Sequence, residues 1–208
     1  YGFVEPYWPE VTHVRVPAPG LATGRPLRVV HLTDFHSDPA PRLEERLPDL
    51  VRALEPDLIV FTGDAINAEG GLPVFRACMT ELANVAPVYA VRGNWDVWWF
   101  SDADLFGHTG AKLLENEAVA IEVDGRALWL AGVAVDREAR IAEVLAKVPE
   151  ERFCLFLHHY PAAAELAVGL GADLLLAGDT HGGQVRLPFV GPLVRMGRFG
   201  RWRPCGLH

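Results

Sequence analysis

The sequence predicts an α/β fold in which two mixed β-sheets pack face to face and are flanked by α-helices. Short apolar segments alternate with amphipathic segments along most of the chain, which is typical of a largely parallel sheet. One pair of apolar segments is joined by Asp124-Gly125, a strong hairpin signal that adds an antiparallel pair. The chain has 208 residues, of which 50% are hydrophobic, so one well-packed domain is expected.

The strands are predicted from short apolar segments that are bounded by turn residues. In chain order they are 27–32, 58–61, 87–91, 119–123, 127–131, 153–157 and 173–176. The helices are predicted from apolar residues at helical spacing. They are 47–54, 73–84, 137–147 and 162–168.

The N-terminal part differs from the rest of the chain. It is rich in proline and aromatic residues, and residues 11–16 alternate in polarity in a way that would suit an edge strand. We therefore expect an N-terminal extended segment or edge strand over residues 1–26 and the main domain over residues 27–208.

Charge and cysteine usage exclude several classes of protein. The formal net charge is −8, which argues against a nucleic-acid partner, because such binding depends on clustered Lys and Arg. The three cysteines are widely spaced and form no Cys-x-x-Cys pair, so neither a disulfide framework nor a structural zinc site is expected.

Polar residues follow five of the predicted strands. They lie in the segments Thr33-Asp34-Phe35-His36, Thr62-Gly63-Asp64, Arg92-Gly93-Asn94-Trp95-Asp96, Leu157-His158-His159-Tyr160-Pro161 and Gly178-Asp179-Thr180-His181. The carboxyl ends of parallel strands share one edge of a sheet, so these loops are expected to meet in one cleft. Carboxylates and imidazoles that lose water together need cations to neutralise them.

The residue types in these loops indicate which cations would bind. Carboxylate oxygen, imidazole nitrogen and amide oxygen without thiolate suit manganese, iron or zinc. Glycines beside the polar residues would let the backbone approach ions and a phosphate closely. They are Gly63, Gly93, Gly178, Gly182 and Gly183.

Taken in order, the five segments resemble the motifs of the calcineurin-like metallophosphoesterase family, over Leu27 to about Arg203. The last motif is similar to that of a bacterial, often membrane-tethered branch. The resemblance implies a sandwich of two sheets, two divalent ions (Mn, Fe or Zn) and hydrolysis of a phosphoester or phosphoanhydride by a hydroxide that bridges the ions. It also implies that the chain is truncated at its C-terminus and that it is cytoplasmic or peripheral at the inner membrane, with an anchor missing from this fragment.

The resemblance further implies a ligand set. The first ion would be held by Asp34, His36, Asp64 and His181. The second ion would be held by Asp64, Asn94, His159 and Asp179. Catalysis is assigned to Asp64, Asn94 and Asp96, and substrate contact to Asn94, Trp95 and Gly182. His159 is preferred over His158 because the family ligand stands two residues before a proline.

Two residues depart from the family pattern. Trp95 replaces the usual histidine of the third motif and cannot act as a general acid, so we expect a phosphoanhydride or an activated diester as the substrate. Relatives that cleave UDP-diacylglucosamine also lack this histidine. A packing role for Trp95 remains an alternative. Asp179 replaces a histidine and adds negative charge, which favours manganese at the second ion.

Aromatic and basic residues near the site leave alternatives open. Trp98, Trp99 and Phe100 follow the third motif and either pack as a buried loop or form an apolar lip for a lipid or a membrane surface. Tyr1, Phe3, Tyr7 and Trp8 would join such a lip. The tail residues Arg195, Arg198, Arg201 and Arg203 are either solvated or a patch for anionic groups.

Two classes of function therefore stand. The first is a metal-dependent hydrolase acting on a small-molecule or lipid-linked phosphate, with peripheral membrane contact. The alternative is a non-catalytic, metal-binding scaffold on the same fold, which the departures at Trp95 and Asp179 would support.

Overall fold

The structure is a computed structural model that describes residues 7–18, 21, 24–181, 186–187 and 191–192. Its centre consists of two four-stranded sheets. The first sheet contains β1 (Val29–Leu32), β2 (Leu58–Phe61), β3 (Val88–Ala90) and β4 (Lys112–Leu113), in this order and all parallel. The second sheet contains β5 (Glu117–Val123), β6 (Arg126–Gly132), β7 (Cys154–Leu157) and β8 (Leu174–Leu176).

The second sheet is mixed. Strands β5 and β6 pair antiparallel, whereas β6, β7 and β8 pair parallel. Asp124 and Gly125 form the turn between β5 and β6, and their φ angles of 50° and 72° are those of the tight hairpin turn that the Asp-Gly pair predicts. Strands β9 (Arg186–Leu187) and β10 (Gly191–Pro192) form a separate antiparallel pair.

Helices α1 (Leu47–Ala53) and α2 (Leu72–Ala83) cover the outer face of the first sheet, and α4 (Ile141–Leu145) and α5 (Ala164–Gly169) cover that of the second. A further short helix, α3 (Asn94–Trp99), follows β3. Short 3₁₀ turns precede three of these helices, at Glu69–Gly71, Val135–Arg140 and Pro161–Ala163. Helices α1 and α2 each carry a proline in the first turn, where a missing N–H is tolerated.

Strand β2 shows why the central strands are apolar at every position. Side chains alternate between the two faces of a strand. Ile59 and Phe61 pack with the residues of α1 and α2, whereas Leu58 and Val60 pack against the second sheet. All four are fully buried, and each buried side chain contributes roughly 1.5–3 kcal/mol of transfer free energy.

Strand β7 repeats this arrangement in the second sheet. Phe156 packs beneath α4 and α5, and Leu155 and Leu157 face the first sheet. The core therefore has three apolar layers, which lie between the first sheet and its helices, between the two sheets, and between the second sheet and its helices. The middle layer fixes the two sheets relative to each other. This packing brings the carboxyl ends of both sets of strands to one side of the molecule.

The predicted fold of two sheets flanked by helices is confirmed. Both sheets were expected to be mixed, but the described strands of the first sheet are all parallel and only the second sheet is mixed. Residues 8–18 contain no strand, so the alternating residues 11–16 do not form the edge strand that was one of the two expectations for this part. The third motif was expected in a loop, but it begins the short helix α3. The helix predicted over 137–147 begins as a 3₁₀ turn.

Several residues named in the sequence analysis lie outside the described residues. They are Tyr1, Phe3, Gly182, Gly183 and the four arginines of the C-terminal tail. Within the part of the chain that the structure describes, no helix has the length and apolar character needed to span a bilayer.

Candidate metal centre

The five polar loops meet where the strands of both sheets end. Asp34 and His36 follow β1, Asp64 follows β2, and Asn94 follows β3 by a few residues. From the second sheet, one loop brings His159 after β7, and another brings Asp179 and His181 after β8.

Five of the proposed ligands have a left-handed backbone, which is unfavourable for residues other than glycine. Their φ angles are 54° for Asp34, 43° for His36, 61° for Asp64, 66° for Asp179 and 47° for His181. Such strain persists only where the surroundings hold the chain, and it concentrates at functional sites.

Hydrogen bonds between neighbouring loops hold two of these strained residues. The backbone N–H of Asp34 donates to the carbonyl of Gly63 (2.9 Å), and the N–H of His36 donates to the carbonyl of Asp64 (3.0 Å). The pairing of β1 with β2 thus continues beyond the strands, through a further bridge between Ser37 and Ile66. The loops after β1 and β2 are therefore bonded to each other, and together they place the side chains of Asp34, His36 and Asp64.

The four residues proposed for the first ion form one group. Ligand atoms of Asp34, His36, Asp64 and His181 all lie within 4.8 Å of one another. His36 Nε2 is 3.4 Å from Asp64 Oδ2, and His181 Nε2 is 3.4 Å from Asp34 Oδ1. Two atoms that each bind one ion at about 2.1 Å lie about 3.0–3.4 Å apart at ordinary coordination angles, so the spacing fits a metal ion.

A second group shares Asp64 with the first. His159 Nε2 lies 3.4 Å from Asp64 Oδ2 and 3.9 Å from Asp179 Oδ1. Asp64 Oδ2 is therefore equally far from the Nε2 atoms of His36 and His159, so the two groups share this carboxylate.

Two unpartnered atoms support a ligand at this second group. Asn94 Oδ1 and His159 Nε2 are buried and have no hydrogen-bond partner among the described residues. A buried polar atom without a partner costs about 1–3 kcal/mol, and an ion bound to both atoms would remove that cost. The residues present at this position therefore fit a metal ion.

The charges of the site also call for cations. Burial opposes ionisation of Asp64, but the imidazoles of His159 and His36, whose Nε2 atoms lie 3.4 Å from Asp64 Oδ2, outweigh it and hold the pKa of the carboxyl well below its ordinary value. Burial lowers the pKa of His159, but Asp64 and Asp34 outweigh this and raise it to about 9. Burial, with repulsion from Asp34 and Asp64, raises the pKa of Asp179. Without metal, protonated histidines supply the positive charge that ions would otherwise provide.

The adjacent residues His158 and His159 have different surroundings. His159 Nδ1 lies 2.7 Å from the carbonyl of Thr62, so its N–H donates there and Nε2 is left as the ligand atom. His158 Nδ1 lies 2.7 Å from the carbonyl of Val133, and its Nε2 is 3.6 Å from a carboxylate oxygen of Glu138. This geometry favours His159 as the ligand.

Comparisons with known proteins agree with this geometry. A model of the calcineurin-like phosphoesterase family matches residues 27–183. The chain belongs to this family. It is similar to the metallophosphoesterase YkoQ of Bacillus subtilis, with 28% identity over 91% of this chain and 74% of that protein. It is also similar to the phosphodiesterase YaeI of Escherichia coli, with 30% identity over 91% of this chain and 73% of that protein.

A further relative is a metallophosphoesterase of Aquifex aeolicus, with 29% identity over 92% of this chain and 76% of that protein. Among solved structures, the phosphopantetheinyl hydrolase PptH of Mycobacterium tuberculosis has a TM-score of 0.43 and 13% identity, over 71% of this chain and 75% of that one. The chain is thus an enzyme, a metal-dependent phosphoester hydrolase of a family that acts on small phosphate-containing substrates.

In this phosphoesterase, Asp96 has a different position from the one its assignment to catalysis requires. Asp96 is fully buried. Its carboxylate accepts hydrogen bonds from the backbone N–H groups of Asp64 (2.9 Å), Ala65 (2.8 Å) and Gly93 (2.8 Å). A fully buried carboxylate used in this way is not placed to contact a substrate. Its position therefore favours a positioning role for Asp96 over the catalytic role expected from the sequence.

Trp95 lies directly against the first group of ligands. Its ring meets the His36 ring edge to face, with centroids 5.7 Å apart, and its backbone N–H donates to Asp64 Oδ1 (2.9 Å). The indole nitrogen is buried and has no hydrogen-bond partner among the described residues. Trp95 thus packs on a proposed ligand, which agrees with the packing alternative.

The neighbouring aromatic residues are divided between core and surface. Phe100 packs on the core of the first sheet, as the buried-loop alternative expects. Trp98 is 61% exposed and Trp99 is 66% exposed, so that alternative is wrong for both.

Sequence reasoning missed two residues that hold the ligand loops. The guanidinium of Arg42 donates to the carbonyls of His36 (2.6 Å) and Phe35 (3.2 Å). Thr33 packs so closely on Gly178 that a Cβ atom at Gly178 would lie 2.1 Å from Thr33 Oγ1. No sequence motif signals the first contact, and only the glycine before Asp179 hints at the second.

Proposed function

We propose that this phosphoesterase binds two divalent ions and that Asp64 contacts both. Asp34, His36, Asp64 and His181 would hold the first ion. Asp64, Asn94, His159 and Asp179 would hold the second. The observation that carries the proposal is that Asp64 Oδ2 lies 3.4 Å from the Nε2 atoms of both His36 and His159.

The protein residues have distinct roles in this proposal. Bound divalent ions supply Lewis acidity, lower the pKa of a bound water and neutralise charge on the phosphoryl group. Asp64 would hold both ions, and Asn94 would also contact a phosphoryl oxygen of the substrate. His159 is held in one tautomer by the Thr62 carbonyl, so its Nε2 stays available.

The substrate is proposed to have a good leaving group. Trp95 lies beside His36 but has no titratable group with which to protonate a departing oxygen. A phosphate or an aryl oxide leaves without much protonation, whereas an alkoxide does not. We therefore place phosphoanhydrides and activated diesters ahead of alkyl monoesters. A nucleotide- or lipid-linked pyrophosphate such as UDP-diacylglucosamine falls within this class.

The metals and the location are part of the same proposal. The carboxylate of Asp179 makes the second ligand group harder and more negative than an imidazole would, which favours manganese over zinc there. Iron remains a candidate for the first group, which has two imidazoles. A lipid-linked substrate would bring the protein to the inner membrane surface as a peripheral protein.

Metal-stripped protein reloaded with Mn²⁺, Fe²⁺ or Zn²⁺ tests the proposal. We expect two ions per chain and hydrolysis of bis(p-nitrophenyl) phosphate and of a nucleoside diphosphate sugar, both faster than hydrolysis of an alkyl phosphate. Asp64→Ala and Asn94→Ala should abolish turnover, whereas Asp102→Asn, an exposed carboxylate beyond α3, serves as the control.

Three outcomes would contradict parts of the proposal. Faster hydrolysis of the alkyl phosphate would refute the leaving-group argument. One ion per chain in fully active protein would refute the paired centre. Bound metal without turnover of any of these substrates would support the scaffold alternative.

A further inference from the structure

Two adjacent tryptophans of α3 are exposed, as are Tyr7 and Trp8 of the N-terminal segment. Phe61, Phe75 and Phe156 are fully buried, whereas Trp98 and Trp99 are 61% and 66% exposed. Each tryptophan carries a large apolar surface, and contiguous exposed apolar surface is typical of binding sites. We call Trp98 and Trp99 the tryptophan face.

This face continues from the metal centre. The centroid of the Trp99 ring is 5.9 Å from that of Trp95, and the Trp95 ring is 5.7 Å from the ring of His36. Helix α3 also begins at Asn94, a proposed ligand. A group attached to a phosphate at the centre therefore needs to extend past only one side chain, Trp95, to reach Trp99.

The tryptophan face stands on a rigid support. Asp96, within the same helix, is fixed by three backbone hydrogen bonds. The Arg92 guanidinium donates to the carbonyls of Ser101 (2.8 Å) and Ala103 (3.0 Å), which ties down the chain after α3. A surface fixed in advance loses little conformational entropy on binding, as a specificity surface should.

Resting on the proposed function, we infer that the tryptophan face binds an apolar or aromatic group carried by the substrate's phosphoryl group and thereby determines substrate specificity. Any phosphodiester at the centre carries a second group besides the one that leaves, and the tryptophan face is an exposed apolar surface in continuity with the ligands. The formal net charge of −8 offers an anionic substrate little attraction away from the ions. Apolar contact would supply affinity that long-range charge does not.

A series of p-nitrophenyl phosphodiesters tests this inference, because the leaving group stays constant while the second group varies. The second group is methyl, decyl or thymidine, and the protein is loaded with Mn²⁺. We expect kcat/KM for the better of the two large esters to exceed that for the methyl ester by roughly tenfold. This ratio of kcat/KM values should fall in Trp98→Ala and Trp99→Ala, mainly because KM for the large ester rises. It should be partly kept in Trp98→Phe and Trp99→Phe.

The control is Leu166→Ala, which removes an exposed apolar side chain from α5 and should keep the ratio of the parent. If the alanine variants lose kcat/KM for the decyl ester alone, the face binds an acyl chain. If they lose kcat/KM for the thymidine ester alone, the face binds a nucleobase. Equal ester ratios in the parent and in folded, metal-loaded alanine variants would overturn the inference.

Binding provides a second readout that does not depend on turnover. Decyl and thymidine phosphonates should quench tryptophan fluorescence of the metal-loaded parent and should bind more weakly to the alanine variants. No hydrolysis of any ester would refute the proposed function, and if quenching is also absent the inference fails with it. Vesicle binding that depends on Trp98 and Trp99, with ester ratios unchanged, would assign the face to a membrane and overturn the inference.

Discussion

The two sheets supply the metal centre in different ways. In the first sheet, the ligand loops are held mainly by one another and by buried side chains of the same half, such as Asp96. In the second sheet, the N–H of Gly178 donates to the carbonyl of His159 (2.9 Å) and joins the two ligand loops, but the ligand residues are also bonded to the first sheet. His159 donates to the carbonyl of Thr62, and the backbone N–H of Asp179 donates to Asp34 Oδ1 (3.2 Å).

This difference assigns the two halves separate tasks. The first sheet determines the geometry of the centre, because its loops keep their arrangement through contacts of their own. The second sheet completes the centre with ligands that are positioned against these first-sheet loops, which we call the frame. A change in the frame should therefore affect both ions, whereas a change in the second sheet should affect mainly the ion that it completes.

The largest effect is expected from His159→Asn, with His158→Asn as a matched neighbour. Loss of His159 should remove the second ion and leave the first, whose ligands include three residues of the first sheet. Since a residue that only supports a ligand is worth 10–100-fold, we expect activity to fall by more than about 100-fold. Metal analysis should give one ion per chain for His159→Asn and two for His158→Asn. The reverse pattern would mean that His158 is the ligand.

Asp96→Asn tests the frame itself. The amide keeps the shape but places an NH₂ group against backbone N–H donors, so at least one of the three hydrogen bonds is lost. We expect a roughly 10–100-fold loss of affinity for both ions. Titration calorimetry and the EPR spectrum of the Mn²⁺-loaded protein measure it, with Asp102→Asn as the exposed control. Reduced stability with unchanged metal affinity would show that Asp96 has no positioning role.

A smaller effect is expected where the two halves touch. A Cβ atom at Gly178 would lie 2.1 Å from Thr33 Oγ1 and 2.7 Å from Asp34 Oδ2. Gly178→Ala should therefore push the loop of Asp179 away from the first sheet and lower kcat by about tenfold, the scale of a small misplacement of catalytic groups.

Two further variants serve as controls for Gly178→Ala, one in each half of the molecule. Gly169→Ala is a matched substitution with open space around the new methyl group, and it should have no effect on kcat. Thr33→Ala removes part of the clash and should partly restore kcat in the double variant, so a double-mutant cycle measures the coupling between the halves. Additive effects of the two substitutions would refute contact between the halves at this point.

The sequence predicts which residues converge in the frame better than it predicts the hydrogen bonds that hold them. Strand ends are visible as apolar segments that stop at Asp or Asn, so the convergence of Asp34, Asp64 and Asn94 could be predicted from the topology alone. The partners of Asp96 are backbone N–H groups, which every residue has, so no pattern of side chains reveals them. Helix α3 was missed because Gly93, Asn94 and Asp96 are also common turn residues.

The tryptophans show a second reason for failure. Whether an aromatic residue lies in the core or on the surface depends on which face of a six-residue helix meets the sheet, and so short a helix gives no clear periodicity. Phe100 and Trp99 are adjacent in sequence, yet only Phe100 packs on the core.

The smallest expected effect lies in β1 of the first sheet, at a residue that is not itself a proposed ligand. His31 is half-buried in β1, and its Nε2 lies 2.8 Å from Thr62 Oγ1. Burial lowers the pKa of His31 from 6.5 to about 4, so the folded protein keeps the ring neutral where the unfolded chain already binds a proton. Between these two values the unfolded state holds more protons, and stability must therefore fall as the pH falls.

His31→Gln keeps a hydrogen-bonding group but cannot titrate, so it should remove part of this pH dependence. Between pH 7.5 and pH 5, the free energy of unfolding of the metal-free parent should fall by about 1–2 kcal/mol more than that of the variant. Urea unfolding at both pH values measures the difference, with the exposed His13→Gln as the control. An equal fall in the free energy of unfolding for the parent and for His31→Gln would show that His31 is already protonated in the folded protein. The neutral ring would then not be part of the folded first sheet.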